Sequence, residues 1–149
     1  MTSITLTVLL QASVLAASPQ GDQYSQAFQQ SAQTGQPLMV LVGADWCPAC
    51  VTMKSSVMPE VRRRGILRKV AFALVNSDRQ NRLAGQLMSG EGIPQLIMYY
   101  HTTDGWKRTQ VNGSVSAESV EKLVQQGIER SAPVPVKPVS TPVRPRAEE

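Results

Sequence analysis

The chain has 149 residues, 42% hydrophobic and 17% charged, with a net charge of +4 from 15 Lys and Arg against 11 Asp and Glu. This length and composition support one ordinary globular domain with a core of its own. Two cysteines and one histidine cannot complete a four-ligand zinc site within one chain. The mild basic excess, with no aromatics interleaved among the arginines, argues against a nucleic-acid partner.

Met1 to Ala17 holds the apolar run Ile4-Thr5-Leu6-Thr7-Val8-Leu9-Leu10 and continues through Ala12-Ser13-Val14-Leu15-Ala16-Ala17. It is shorter than the roughly 20 apolar residues of a membrane span. Its small closing residues suit cleavage after Ala16, with Val14 two positions before. Residues 1–17 are therefore expected to be a signal peptide that sends the chain to the periplasm or outside the cell, although no Lys or Arg precedes the run. Membrane contact is expected only through an uncleaved N-terminus, and a cytoplasmic location only if this segment is not a signal. The folded domain is expected over 22–130. Asp22 is placed to cap a first helix over about Gln23 to Gln33, with Tyr24, Ala27, Phe28 and Ala32 close to one face and Gly35 as its stop.

Leu38-Met39-Val40-Leu41-Val42 is an unbroken apolar run, the pattern of a strand buried on both faces. It breaks at Gly43-Ala44-Asp45 and leads into Trp46-Cys47-Pro48-Ala49-Cys50. Pro48 suits a first helical turn, where its missing N–H costs nothing. A strand thus delivers two cysteines to a helix start, and their three-residue spacing puts them on the same side, close enough to bridge. The attacking species in disulfide exchange is the thiolate, which a helix N-terminus stabilises. Cys47, the outer sulfur, is the candidate nucleophile and Cys50 the resolving cysteine, with Trp46 expected as an apolar wall beside the sulfur. Two other readings stay open: half of a zinc site completed by a second copy, and a structural disulfide, although closing so short a loop removes little chain entropy.

The cysteine helix is expected over about Pro48 to Met58, interrupted at Pro59 and followed by a short helical stretch carrying Val61 and Arg62-Arg63-Arg64, read as a solvated helix end. Val70 to Val75 reads as a second buried strand, and Ser77 or Asp78 as the cap of a helix holding Leu83, Leu87 and Met88. Ser89-Gly90-Glu91-Gly92 leads to Ile93-Pro94 and the apolar strand Gln95 to Tyr100. His101 to Gly105 reads as a hairpin turn with a solvated histidine, returning through Trp106 to Val111. Asn112-Gly113 is another turn, and Ser116 caps a last helix whose stripe is Val120, Leu123, Val124, Gly127 and Ile128. Residues 131–149 carry Pro133, Pro135, Pro138, Pro142 and Pro145 without hydrophobic period, the composition of an extended, disordered spacer. Alternating strands and helices imply an α/β fold with a parallel sheet core.

Trp46-Cys47-Pro48-Ala49-Cys50, the later Gly92-Ile93-Pro94 and the element order between them resemble the thioredoxin superfamily, over about Tyr24 to Ile128. The lead-in Thr34-Gly35-Gln36-Pro37-Leu38 is similar to that of its exported or membrane-tethered domains. The resemblance implies a three-layer fold, a central mixed sheet flanked by helices. It also implies a cis bond before Pro94, with Ile93 offering its backbone to a partner peptide. Trp46, Pro48, Ile93, Pro94 and Gly113 would line the substrate groove. Where many relatives carry a buried Asp beneath the inner cysteine this chain has Leu41, and where a Lys often faces it, about Leu74. The core under Cys50 is therefore expected to be dry.

The expected function is thiol–disulfide oxidoreduction on protein thiols and disulfides, as a reductase or electron relay served by an upstream electron donor or acceptor, with no metal or organic cofactor implied. The alternative is a non-catalytic binding module that uses the groove and the Pro-rich tail.

Overall fold

The apolar run at Leu38 forms strand β1 (Leu38–Gly43), buried at all six positions. It is central because both neighbours pair with it. β2 (Ala71–Asn76) runs parallel on one side, and β3 (Gln95–Thr102) antiparallel on the other. β4 (Gly105–Asn112) closes the order β2-β1-β3-β4 as the hairpin partner of β3. The structure, a computed structural model, describes residues 23–132. The leader 1–17, the expected cap Asp22 and residues 133–149 of the tail lie outside the described residues.

Two cores follow from the strand alternation. Leu38, Val40 and Val42 face Ala27 of α1 (Gln23–Thr34) and Ala84 and Leu87 of α4 (Asn81–Leu87). Met39 and Leu41 face the opposite layer, α2 (Pro48–Thr52), α3 (Met58–Arg63) and α5 (Ala117–Arg130), through Met53, Met58, Val61, Val120, Leu123 and Val124. Each buried aliphatic is worth about 1.5–3 kcal/mol, and a one-residue slip of β1 would exchange the two faces. The result is the mixed, three-layer α/β fold expected of the sequence.

Several local readings are corrected. Phe28 and Ala32 of α1 are exposed, and the buried face is Tyr24, Ala27 and Ser31. Ser31 tolerates full burial because its Oγ donates to Gln36 O at 2.6 Å, satisfying the hydroxyl and closing the turn into β1. β2 is an edge strand: Ala71, Ala73 and Val75 are buried, but Leu74 stands 37% exposed. The cysteine helix is not interrupted at Pro59. α2 passes through a π-helical turn (Met53–Val57) directly into α3, a widening that accommodates a residue with no N–H and a ring that crowds the preceding turn. The cap of α4 is neither Ser77 nor Asp78. The Asn76 side chain accepts the N–H groups of Asp78 and Arg79, and the helix begins only at Asn81. His101 lies within β3 and not in the turn, opposite Trp106, with its ring half-buried.

The basic cluster is partly spent inside the domain. Arg63 pairs with Glu60, and Arg64 reaches Glu60 at 2.8 Å, Glu118 at 2.8 Å and Glu121 at 3.5 Å, tying α3 to the first turns of α5. Ser116 caps that helix by accepting the Ser119 N–H. Backbone donation within that first turn, then Arg64, pull the Glu118 carboxyl down to about 2 from 4.5. Because the folded value is the lower one, this contribution to stability is complete above pH 4.5 and is lost as pH falls through about 2. Acid unfolding curves should therefore show a protonation-linked loss between those limits that Arg64→Ala reduces. An identical acid limb in the variant would sink this account.

Candidate redox site

Two strand ends and one helix start converge on the cysteines. β1 ends at Gly43, and a turn closed by Cys47 N–H donating to Ala44 O delivers the chain to Pro48, the first residue of α2. Cys47 is the N-cap. Its Sγ accepts the Cys50 N–H at 3.2 Å, taking one of the amides that a helix start leaves unpaired. The pair forms a disulfide with Cα atoms 5.2 Å apart. Cys47 remains 6% exposed and Cys50 1%, so the outer sulfur is the more accessible of the two.

The inner sulfur's position depends on a residue that the sequence reading passed over as a strand break. A Cβ placed on Gly43 would lie 3.0 Å from both Cβ and Sγ of Cys50, a contact so tight that the cysteine would have to give by a few tenths of an ångström. Glycine at the end of β1 lets α2 settle onto the sheet.

The second wall comes from the start of β3. Ile93–Pro94 is cis, the isomer the resemblance implied. Ile93 O lies 3.8 Å from Cys47 Sγ, and the half-buried Ile93 side chain packs with Ala44, Ala49 and the two cysteines. Pro94 is buried, and its carbonyl accepts the Gly113 N–H at 2.8 Å, so Gly113 braces the proline from behind with φ +84°. Gln95, fully buried, went unnoticed in the sequence. Its Oε1 accepts Ser89 N–H at 3.1 Å and its Nε2 donates to Gly92 O at 3.0 Å, pinning both ends of the loop that presents Ile93.

Trp46 and Pro48 are exposed on the rim. Trp46 is 70% exposed, and its Nε1–H donates to Asp78 Oδ2 at 2.9 Å, so the indole is held by the β2–α4 loop. That loop and the cysteine helix together hold Asp45: Lys54 approaches its carboxylate at 2.7 Å, Arg79 at 2.9 Å and Asn76 at 3.2 Å. The Lys54 hydrogen bond leads the causes that keep the Asp45 carboxyl below its ordinary range, and Arg79 adds to them.

The expectation of a dry core beneath Cys50 is corrected on one side. Leu41 is buried, but Leu74 lies on the open edge of β2. These register neighbours both line a cavity of about 400 Å³ that Cys50, Asp45, Lys54 and Arg79 also border. Leu74 cannot seal it because β2 has no further strand outside it among the described residues. Among those residues no group of three or more His, Cys, Asp and Glu is arranged to hold a metal. Two sulfurs of unequal exposure, one amide-capped at a helix start beside a cis-proline loop, are equipped for dithiol–disulfide exchange.

Comparison with known proteins follows the same geometry. A thioredoxin-like family model matches residues 19–100, more than half of the chain. No curated protein sequence matches it. Among solved structures it is similar to a thioredoxin from Thermus thermophilus (21% identity, 69% of this chain and 82% of that one, TM-score 0.58). It is also similar to Trichomonas vaginalis thioredoxin (16%, 69% and 89%, 0.55) and to Plasmodium falciparum thioredoxin (19%, 69% and 80%, 0.54). With the matched span running from before α1 to the end of the apolar stretch of β3, the chain belongs to the thioredoxin-like family.

Proposed function

We propose that this protein is an exported thiol–disulfide oxidoreductase that passes electrons to protein disulfides. One observation carries the reading: Cys47 Sγ, at a helix start, accepts an amide at 3.2 Å and borders the Ile93 carbonyl, while Cys50 lies behind it. In the reduced pair the Cys47 thiolate attacks one sulfur of a partner disulfide. That S–S bond breaks, the partner's other sulfur departs as a thiolate and takes a proton, and a Cys47–partner mixed disulfide remains. Cys50, having lost its proton, attacks the Cys47 sulfur and expels the partner's second thiolate. Two electrons have moved to the partner, and the Cys47–Cys50 disulfide awaits an upstream dithiol.

The proton on Cys50 needs a destination. Asp45 is a poor one, because Lys54 and Arg79 favour its ionised form and so weaken it as a base. The cavity beside Cys50 is roomy enough for water, and water is the acceptor assigned here. Ile93, Trp46 and Pro48 offer the surface a partner meets, and Pro94 and Gly113 shape it from beneath. Export rests on the apolar run Ile4 to Leu10 and on the small residues before Ala17.

Cys50→Ser should accumulate a mixed disulfide with partner proteins and Cys47→Ser should not. Equilibration with glutathione should place the pair near about −270 mV for a reductase or relay, whereas about −120 mV would make it an oxidant. Equal capture by the Cys47→Ser/Cys50→Ser double variant would replace catalysis by the binding-module reading. Intact mass of the protein from its native host should show loss of residues 1–16, and a retained leader would remove the signal-peptide assignment. Gln95→Met keeps volume but strips two hydrogen bonds, at a cost of about 1–3 kcal/mol. Reduction of a protein disulfide should slow by about tenfold as Ile93 loses its fixed position, with reactivity toward oxidised glutathione little changed. Equal slowing of both would show that Gln95 serves stability alone.

A further inference from the structure

The molecule carries a second exposed apolar feature at the end away from the cysteines. Phe28 of α1 and Trp106 of β4 are each 46% exposed, and their rings stack at 6.5 Å between centroids and 29° between planes. Tyr24 extends the row, 6.3 Å from Phe28 at 24°, and His101 meets Trp106 edge-on at 5.5 Å. Tyr24 rests partly on the core beneath α1, whereas Phe28 and Trp106 stand out from the helix and from the edge strand. Exposed aromatics that stack on each other concentrate apolar area that a monomer ordinarily covers.

The chain itself arrives at this spot. After α5, Ser131 N–H donates to Ile128 O and Ser131 Oγ to Gly127 O, fixing the helix exit. Ala132 N–H then donates to His101 O at 2.8 Å, which brings the last described residue alongside the histidine that touches Trp106. From there the sequence reads Pro133-Val134-Pro135-Val136-Lys137-Pro138-Val139. Prolines three apart, as Pro135 and Pro138, fall on one edge of a polyproline II helix, the shape that aromatic-lined surfaces accept. His101 Nδ1 is buried without a hydrogen-bond partner among the described residues, a polar atom that an adjoining backbone group would satisfy.

We infer that the Tyr24–Phe28–Trp106–His101 ladder is the docking surface for the protein's own Pro-rich segment, Pro133 to Pro138. At about 3.1 Å per residue in this helix form, four or five residues cover the ladder. The segment is tethered at its edge, so its effective concentration is of millimolar order and a weak intrinsic affinity suffices. Val134 and Val136 supply apolar contact between the prolines. The docking site is remote from Cys47 and leaves the cis-proline groove open.

Backbone order parameters of the isotope-labelled protein with its complete tail test this. Val134 and Val136 should give S² above about 0.6, against lower values for Glu148 and Glu149. Phe28→Ala/Trp106→Ala should drop both valines to the level of the chain end. Should that variant fail to fold, Pro135→Gly/Pro138→Gly, which alters no described contact, should release the segment and shift the Trp106 indole resonance. The ordering should survive tenfold dilution. Valines as mobile as Glu148 in the unaltered protein would overturn the inference, as would order that persists in both variants. Order lost on dilution would overturn it in favour of a second copy of the chain on the ladder.

Discussion

How closely the cysteine helix can approach the end of β1 governs the redox end of this molecule. The missing side chain of Gly43 leaves room for Cβ and Sγ of Cys50 at a separation that a Cβ there would crowd at 3.0 Å. Once Cys50 is seated there, the helix start is fixed, and with it the amide that reaches Cys47 Sγ. The inequality of the two sulfurs follows from this one contact. A side chain at Gly43 would lift the helix start from the sheet and loosen the seat of Cys50, the sulfur that lies deeper of the two.

The charges around the site act mainly as fasteners. Asp45 sits two residues before Cys47, yet it is committed to Lys54 on the cysteine helix and to Asn76 and Arg79 at the end of β2. Asp78 does the same for the Trp46 indole. The loop after β2 therefore braces the rim from the side opposite the Ile93 loop, which Gln95 braces from within. The contacts of Asp45 and Asp78 are exposed and individually weak but converge on one short loop, while the Ile93 side is held by the buried Gln95 and by packing on the cysteines. The cavity bordered by Leu41 and Leu74 lies just under that rim.

Much of this was legible in the chain. β1, the cysteine pair at a helix start, the Ser116 cap and the last helix's stripe all rest on local signals: an apolar run, a proline at a first turn, a hydroxyl before an amphipathic repeat. The cis bond before Pro94 came from family likeness. The misreadings share a cause, since they depend on which neighbour a residue meets. The helical pattern places Phe28 and Ala32 on the inner face of α1 in place of Ser31, whose hydroxyl is satisfied by Gln36 O at 2.6 Å. Gln95 looked like an ordinary strand start because nothing local shows that it satisfies Ser89 and Gly92. Leu74 looked buried, but strand order made β2 an edge. Pro59 was read as a breaker, yet the π-helical turn before it absorbed the missing donor.

The strand that joins the two exposed features also separates them. β3 begins just after Pro94, beside Cys47, and carries His101 next to Trp106 at its other end, seven residues on. At about 3.4 Å per residue that places the aromatic ladder roughly 24 Å from the proline. A segment docked on the ladder therefore competes with no partner at Cys47, and its consequence is one of placement. Docking would move the start of the free tail from Ala132 to Pro138, so Lys137 would be carried at the ladder, while Arg144 and Arg146 would stay on the chain beyond it. The charged groups that the fold itself holds near the outer sulfur are Asp45, Lys54, Asp78 and Arg79.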